Sequence, residues 1–257
     1  MQEIIVIVIA FLASGLTFFS GFGLGTILLP VFAIFFPLEI AVALTAIVHF
    51  LNNIFKFFLV GKNIDKAILW RFGIPAIIAV FFGAFLLNYL SVLKPFYEYQ
   101  LFGKDFKMTF IKLIIAVLLI FFALFDLIPK LKNLEFNKKY LAFGGLISGF
   151  FGGLSGHQGA LRSAFLIRSG LSKESFIATG IAIACLIDVT RLSIYAENII
   201  KNHETLNWKL VLMATLSAFA GAFLGNKLLK KITISTLQTF VAIALIVFSV
   251  FLGAGIV

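Results

Sequence analysis

The chain has 257 residues, of which 61% are hydrophobic and only 12% are charged, and its formal net charge is +10. A soluble domain of this size does not carry so much apolar surface, and the apolar runs are continuous rather than alternating, which excludes a β-barrel. The sequence therefore predicts an all-α polytopic membrane protein that forms one membrane domain, residues 1–257.

The net positive charge of the chain is explained by Lys and Arg residues that set the orientation of the spans in the membrane. Most Lys and Arg residues lie in short loops between apolar stretches, as the positive-inside rule describes, so we expect no nucleic-acid partner. The single cysteine, Cys185, lies within an apolar stretch and can form no intrachain disulfide. No Lys or Arg precedes the first apolar stretch, so we interpret it as a span and not as a cleaved signal peptide.

Apolar stretches alternate with polar loops along the whole chain, and they predict about 8–10 helical segments. No loop is long enough to hold a second folded domain, so function must lie in the membrane. The stretches cover residues 4–20, 26–37, 40–60, 67–93, 106–128, 140–156, 159–171, 174–195, 208–229 and 232–255.

The two halves of the chain resemble each other. The segment "WRFGIPAIIAVFFGAFLLNYL" (70–90) aligns without gaps with "WKLVLMATLSAFAGAFLGNKL" (208–228). A shift of 135 residues aligns Asn53 with Asp188 and Lys56 with Arg191. We interpret this as an internal duplication, with repeats 1–130 and 138–257.

Dense glycines interrupt one apolar stretch in each half. Gly21, Gly23 and Gly25 alternate in the first half, and Gly156 and Gly159 lie in the second. Unwound backbone in hydrocarbon costs several kcal/mol for each unsatisfied group, so a break survives only where protein or a water-filled cavity satisfies it. We expect a helix break at both places.

Three other glycines have the four-residue spacing that is typical of close helix packing in membranes. They are Gly145, Gly149 and Gly153. For these residues we expect a packing contact and not a break.

The charge distribution favours folding each break into a re-entrant hairpin. If the breaks are only kinks in eight crossings, the loop Lys and Arg residues divide 9 to 8. If each repeat instead has a hairpin and three transmembrane helices, they divide 12 to 5, which predicts an inverted repeat with both termini outside. The larger set comprises residues 62, 66, 71, 130, 132, 138, 139, 168, 173, 227, 230 and 231.

Half-helices that begin near Thr26 and Gly159 would direct their N-terminal N–H groups at the membrane midplane, where they favour an anion. Arg162 lies in the first turn of the second half-helix and could bind an oxyanion, unless it extends to the membrane interface. His157 and Gln158 lie in the break itself and could contact the ligand or cap the helix.

Further ionisable residues lie inside apolar stretches, where a charged side chain is costly and a partner or a function has to explain its presence. Asp188 and Arg191 are one helical turn apart and favour a buried ion pair, although Asp188 could instead carry a coupling proton. His49 could titrate near neutral pH and couple protons, or it could be a satisfied core histidine.

Polar residues in the first half occupy matching positions. Asn52, Asn53 and Lys56 correspond to the region around Asp188, and we predict contact with the substrate or a role in coupling. Thr45 and Thr179 could line the path or bond back to their own helices.

The paired glycine-rich segments, each followed by an apolar stretch with a short turn ("FPLEIAVALTA", "SGLSKESFIATGIA"), resemble the TauE/SafE family of sulfite-exporter-like permeases. The segments "GAFLLNYL" and "GAFLGNKL" are also similar to that family. The resemblance implies transport of sulfite, organosulfonates or related sulfur-containing or carboxylate anions. It implies no metal, nucleotide or covalent cofactor.

The sequence thus predicts a secondary transporter of small anions in the cytoplasmic membrane, coupled to protons and working by alternating access. Its partners would be the anion, the lipid bilayer and protons, and a homo-oligomer is compatible with the sequence. The alternatives are a passive anion channel with the same site and a scaffold that transports nothing. No enzyme motif is present, so we expect no catalytic activity.

Overall fold

The computed structural model describes residues 2–17, 23–201, 206–228 and 234–257. Within these ranges the chain forms eleven α-helices, two short 3-10 turns and one β-hairpin. The helices are α1 (Gln2–Leu16), α2 (Leu24–Ala33), α3 (Leu38–Val60), α4 (Lys66–Ser91), α5 (Phe110–Leu127), α6 (Pro129–Lys132), α7 (Leu141–Ser155), α8 (Gly159–Leu166), α9 (Lys173–Lys201), α10 (Trp208–Leu228) and α11 (Ile234–Gly253).

Four of the described helical segments are long and apolar enough to cross a membrane, and four shorter apolar helices accompany them. This confirms the predicted class, an all-α polytopic membrane protein. The long segments are Leu38–Asn63, Lys66–Ser91, Lys173–Glu197 and Trp208–Lys227.

Local sequence signals fix several helix ends. The Asp65 side chain accepts a hydrogen bond from the Ile68 amide and caps the start of α4. Thr109 does the same for α5 by accepting from the Lys112 amide. Such caps satisfy amide groups that have no acceptor inside the helix.

Helix α8 folds back along α7. The turn between them passes through Gly156, whose φ of 80° lies in the left-handed region that favours glycine. The end of α8 then reaches the start of α7, because a Cβ placed on Gly144 would lie 2.3 Å from the Phe165 ring. The second glycine-rich segment is therefore a helical hairpin with a buried tip.

The spaced glycines of α7 bring its backbone against α4. A Cβ on Gly145, Gly149 or Gly153 would lie 2.2, 2.2 or 2.4 Å from a carbonyl oxygen of α4. The packing contact expected from their spacing is therefore present. The contacts advance in the same direction along both helices, so α4 and α7 run parallel; the oxygens belong to Phe72, Ala76 and Val80.

Helices α1 and α10 form a similar parallel pair. A Cβ on Gly221 would lie 2.1 Å from the carbonyl oxygen of Phe11. Nearer the start of both helices, the Ser217 hydroxyl donates to the Ile7 carbonyl at 2.7 Å. Each pair joins one helix from each half of the chain.

Two other helix pairs, each with one helix from each half of the chain, run antiparallel. Near the start of α9, Thr179 accepts a hydrogen bond from the amide of Asp65, which follows α3. Near the start of α5, the Lys112 ammonium donates to the carbonyl of Gly255, which follows α11. Thus α3 opposes α9, and α5 opposes α11.

The loop after α4 contains a β-hairpin that the sequence analysis did not predict. Strand β1 (Tyr97–Leu101) pairs antiparallel with β2 (Lys104–Met108). The predicted apolar stretch 106–128 is therefore wrong at its start, because residues up to Met108 belong to a strand and helix α5 begins at Phe110. The hairpin rests on the C-terminal segment, where the Tyr99 hydroxyl donates to the Ala254 carbonyl at 2.7 Å.

Candidate functional site

A small cavity of about 50 Å³ lies among the start of α2, the middle of α3, helix α8 and the first turns of α9. This volume holds a few water molecules or one small ion. Both halves of the chain contribute to its wall. The polar lining residues are Thr17, His49, Asn53, Lys56, Arg162 and Ser163.

Two cationic side chains face this cavity from opposite halves. Lys56 on α3 is 5% exposed and Arg162 on α8 is 9% exposed. No Asp or Glu is among the described residues that line the cavity. Burial of charge in a low-dielectric interior is costly without a counter-charge, so this wall favours an anion.

Gln158 holds Arg162 in place. The Arg162 guanidinium donates through Nη1 to the Gln158 side-chain oxygen at 3.2 Å. The backbone carbonyl of Gln158 in turn accepts from the Ser148 hydroxyl on α7 at 3.1 Å. The tip of the hairpin thus orients the cation toward the cavity.

The first helix break also contributes to the wall. Gly23 and Leu24, at the start of α2, line the cavity. First-turn amide groups have no acceptor in their own helix, and the positive end of the helix dipole adds to the field of the two cations. A Cβ on Gly23 would lie 3.6 Å from His49 Nε2, so the His49 imidazole lies close to the break.

Behind the cavity, His49 belongs to a buried ionic cluster with Asp188. His49 Nδ1 lies 2.6 Å from Asp188 Oδ2, and the Asn53 amide donates to the same oxygen at 3.3 Å. The other carboxylate oxygen accepts from Arg191 Nε at 3.0 Å and lies 2.7 Å from Arg191 Nη2. The predicted pair Asp188–Arg191 is therefore formed, and His49 links it to the cavity.

The two breaks approach each other beside this cluster. A Cβ on Gly156 would lie 2.6 Å from Arg191 Nη1, so both the left-handed φ and the neighbouring guanidinium require glycine there. A Cβ on Gly25 would lie 3.9 Å from the Gly156 carbonyl oxygen and 3.5 Å from Thr45 Cγ2. Gly21 lies outside the described residues.

Several predicted site residues do not line the cavity. Asn52 accepts a hydrogen bond from the Ser14 hydroxyl at 3.0 Å, which ties α3 to α1. Thr179 Oγ1 accepts from the Asp65 amide at 3.0 Å, near the start of α9. Their contacts are between helices. Also absent from the lining are Gly25, Thr26, Thr45, Gly156, His157, Gln158, Gly159, Asp188 and Arg191.

His157 lies in the turn of the hairpin and contacts its own surroundings. Its Nδ1 is 3.1 Å from the Ser155 carbonyl oxygen, and its ring stacks on Phe122 with centroids 5.5 Å apart. Buried polar atoms near the two breaks have no hydrogen-bond partner among the described residues, which is typical of sites that bind water or a ligand. These atoms are Thr45 Oγ1, Asn52 Nδ2, His157 Nε2 and Gln158 Nε2.

Part of the cavity lining was not predicted from the sequence. Ser163 follows Arg162 directly and could have been found as a second polar residue on α8. Gly180 gave no such signal, yet it lines the cavity, and a Cβ there would lie 3.6 Å from Arg162 Nε, an ordinary contact. Thr17, which directly follows α1, lines the same cavity.

Broken helices around a buried cationic cavity are features that membrane transporters share. Comparison with protein families matches residues 6–252 to the family described as Sulfite exporter TauE/SafE. The chain belongs to this family, which confirms the resemblance. It is thus a multi-pass membrane protein of a family of transporters for sulfite and related anions, and not of enzymes. None of the curated proteins compared with the chain matches it.

Proposed function

We propose that the protein is a secondary transporter that carries a small anion, such as sulfite or an organosulfonate, across the cytoplasmic membrane. The observation that carries the proposal is the cavity itself, into which both halves direct a buried cation, Lys56 and Arg162. The family match supports the class of substrate.

We further propose that repeats 1–130 and 138–257 are a duplicated and inverted pair. Equivalent helices run in opposite directions where they meet, α3 against α9 and α5 against α11. In the two halves α1 corresponds to α7 and α4 corresponds to α10. Exchange of the halves therefore turns the parallel pair α1–α10 into the parallel pair α4–α7. Both relations are those of a twofold axis in the membrane plane.

The position of the cavity supports alternating access. Its wall is divided between α2 and α3 of one half and α8 and α9 of the other. Movement of one half against the other would open the same cavity to each side of the membrane in turn. A passive channel with the same site is the second candidate, since the cavity wall alone fits both.

His49 is the group we propose for proton coupling. It lines the cavity on one side and pairs with Asp188 on the other. Three other side chains interact with the His49 ring. The Asn53 amide lies within hydrogen-bond distance of it, and Lys56 and Arg191 interact with it through their charges. A proton on His49 would strengthen its attraction to both Asp188 and an anion in the cavity, and proton and anion binding would be linked.

The test is sulfite flux into proteoliposomes with and without an imposed pH gradient, with protein-free liposomes as the blank. We expect wild-type protein to accumulate sulfite against its gradient and Arg162→Gln to lose this activity. Arg168→Gln is the matched control, because Arg168 is exposed and pairs with Glu135 outside the cavity. His49→Gln should keep downhill flux and lose its dependence on the pH gradient.

Downhill flux that ignores the gradient in wild-type protein would favour the channel. Equal loss in Arg162→Gln and Arg168→Gln would remove the cavity from the mechanism. If folded wild-type protein moves no sulfite or organosulfonate, the proposed substrate is wrong.

A further inference from the structure

We propose that the cavity selects doubly charged over singly charged oxyanions, and that Lys56 and Arg162 each compensate one negative charge. The inference rests on the proposed function and adds the charge of the preferred ligand. Its basis is the balance of charge in the interior of the protein.

That balance is positive. Among the side chains that the structure describes as buried, three are cationic, Lys56, Arg162 and Arg191, and one is acidic, Asp188. With His49 neutral and these four side chains charged, the described interior carries an excess of two positive charges. This excess is a count of side chains and holds whichever hydrogen bonds they make.

The location of the excess is set by the ion pairs. Asp188 lies 2.7 Å from Arg191 Nη2, so its charge is matched to that guanidinium. Lys56 and Arg162 are the two cations that line the cavity. The positive excess thus lies at the wall of the cavity between α3 and α8.

Apolar side chains form part of the wall, beside the polar residues that also line the cavity. Leu24, Leu166, Phe176, Ile177 and Ile181 offer no side-chain donor or acceptor. Their apolar surface lowers the local dielectric constant, so attraction to two cations is stronger there than in water. A dianion loses more hydration on binding than a monoanion does, and two fixed cations offset more of that loss than one cation does.

Sulfate and methanesulfonate provide the test. Both present an SO₃ group of the same shape, but the fourth substituent is a charged oxygen in one and a methyl group in the other. Each would be measured as a competitor of sulfite uptake and, by calorimetry, as a ligand of the purified wild-type protein. We expect sulfate to bind at least about tenfold more tightly, which corresponds to only ~1.4 kcal/mol.

Removal of one cation should reverse the preference. Lys56→Met keeps an unbranched side chain of similar length, and Arg162→Gln keeps a hydrogen-bond donor. In each variant we expect methanesulfonate to bind at least as tightly as sulfate. Lys112→Met is the matched control, because this lysine lies on α5 and donates to Gly255, away from the cavity.

The outcomes separate the two proposals. If wild-type protein takes up sulfite but binds methanesulfonate more tightly than sulfate, or binds the two equally, the charge selection is overturned. The transport function then stands. An unchanged preference in Arg162→Gln also overturns it. Folded wild-type protein that neither binds nor moves any of the three anions overturns both. The wild-type comparison decides the matter even if a variant fails to fold.

Discussion

At the scale of single residues, the carboxylate of Asp188 connects the two halves of the chain. Asp188 is fully buried and contacts three side chains, His49, Asn53 and Arg191. The first two belong to α3 and the third to α9, so one carboxylate joins the two halves of the chain. A buried charge of this kind is retained only with its partners, because removal of one partner leaves the other uncompensated.

We therefore expect Asp188→Asn to destabilise the protein by about 3–5 kcal/mol, since Arg191 would remain charged and buried without its counter-ion. Thermal or denaturant unfolding in detergent would measure the change. Asp105→Asn is the control, because Asp105 is exposed on the hairpin and contacts only Gln100 among the described residues. The double variant with Arg191→Met should regain part of the loss. If it is as unstable as the single variant, the unpaired charge is not the cause.

At the scale of helices, glycine sets how closely the halves approach. Because a Cβ on Gly149 would lie 2.2 Å from a backbone oxygen of α4, we expect Gly149→Ala to push α7 away and cost at least about 1–3 kcal/mol. Unfolding in detergent and the yield of monodisperse protein would report this cost.

Gly180→Ala is the matched control for that variant. The nearest atom to its Cβ would be Arg162 Nε at 3.6 Å, an ordinary contact, and alanine favours the helix by up to about 1 kcal/mol. Its stability should be unchanged or raised. Equal stability of the two alanine variants would show that the α4–α7 contact tolerates a side chain.

Helix positions could be predicted from the sequence to within a few residues, because apolar length alone determines a span. The stretch predicted over 40–60 is helix α3, Leu38–Val60, and the stretch over 140–156 is α7, Leu141–Ser155. The stretch predicted over 159–171 ends early, at Leu166 in α8. The β-hairpin was missed because its alternation of aromatic and polar residues is short and was taken for a loop.

The site could be predicted only in part. Arg162 and Lys56 stood out singly, since each is a charged residue in an apolar stretch. That they line one cavity depends on packing between α3 and α8, which no local pattern contains. The contact between Asn53 and Asp188 is different, because the alignment of the two halves pairs these residues, and the proposed twofold relation would bring equivalent positions near its axis together.

At the scale of the whole molecule, an inverted duplication places equivalent loops on opposite sides of the membrane. Lys62 follows α3 and Lys201 ends α9, and both are exposed. In a Cys185→Ala background, we expect a membrane-impermeant maleimide to label Lys201→Cys in intact cells and Lys62→Cys only after permeabilisation. Labelling of both from one side would show a parallel duplication, and the reverse order would place the termini inside.

The pairing of helices across the halves also has a consequence for biosynthesis. Helices α1 and α4 leave the ribosome early, but they pack mainly against α10 and α7, which are made later. Until then, the face of α4 that receives the α7 glycines has only lipid to contact. The nascent first half is therefore inserted without the largest packing contacts of α1 and α4, and translation that stops near residue 130 should yield a chain that quality-control proteases degrade and not a half-sized transporter.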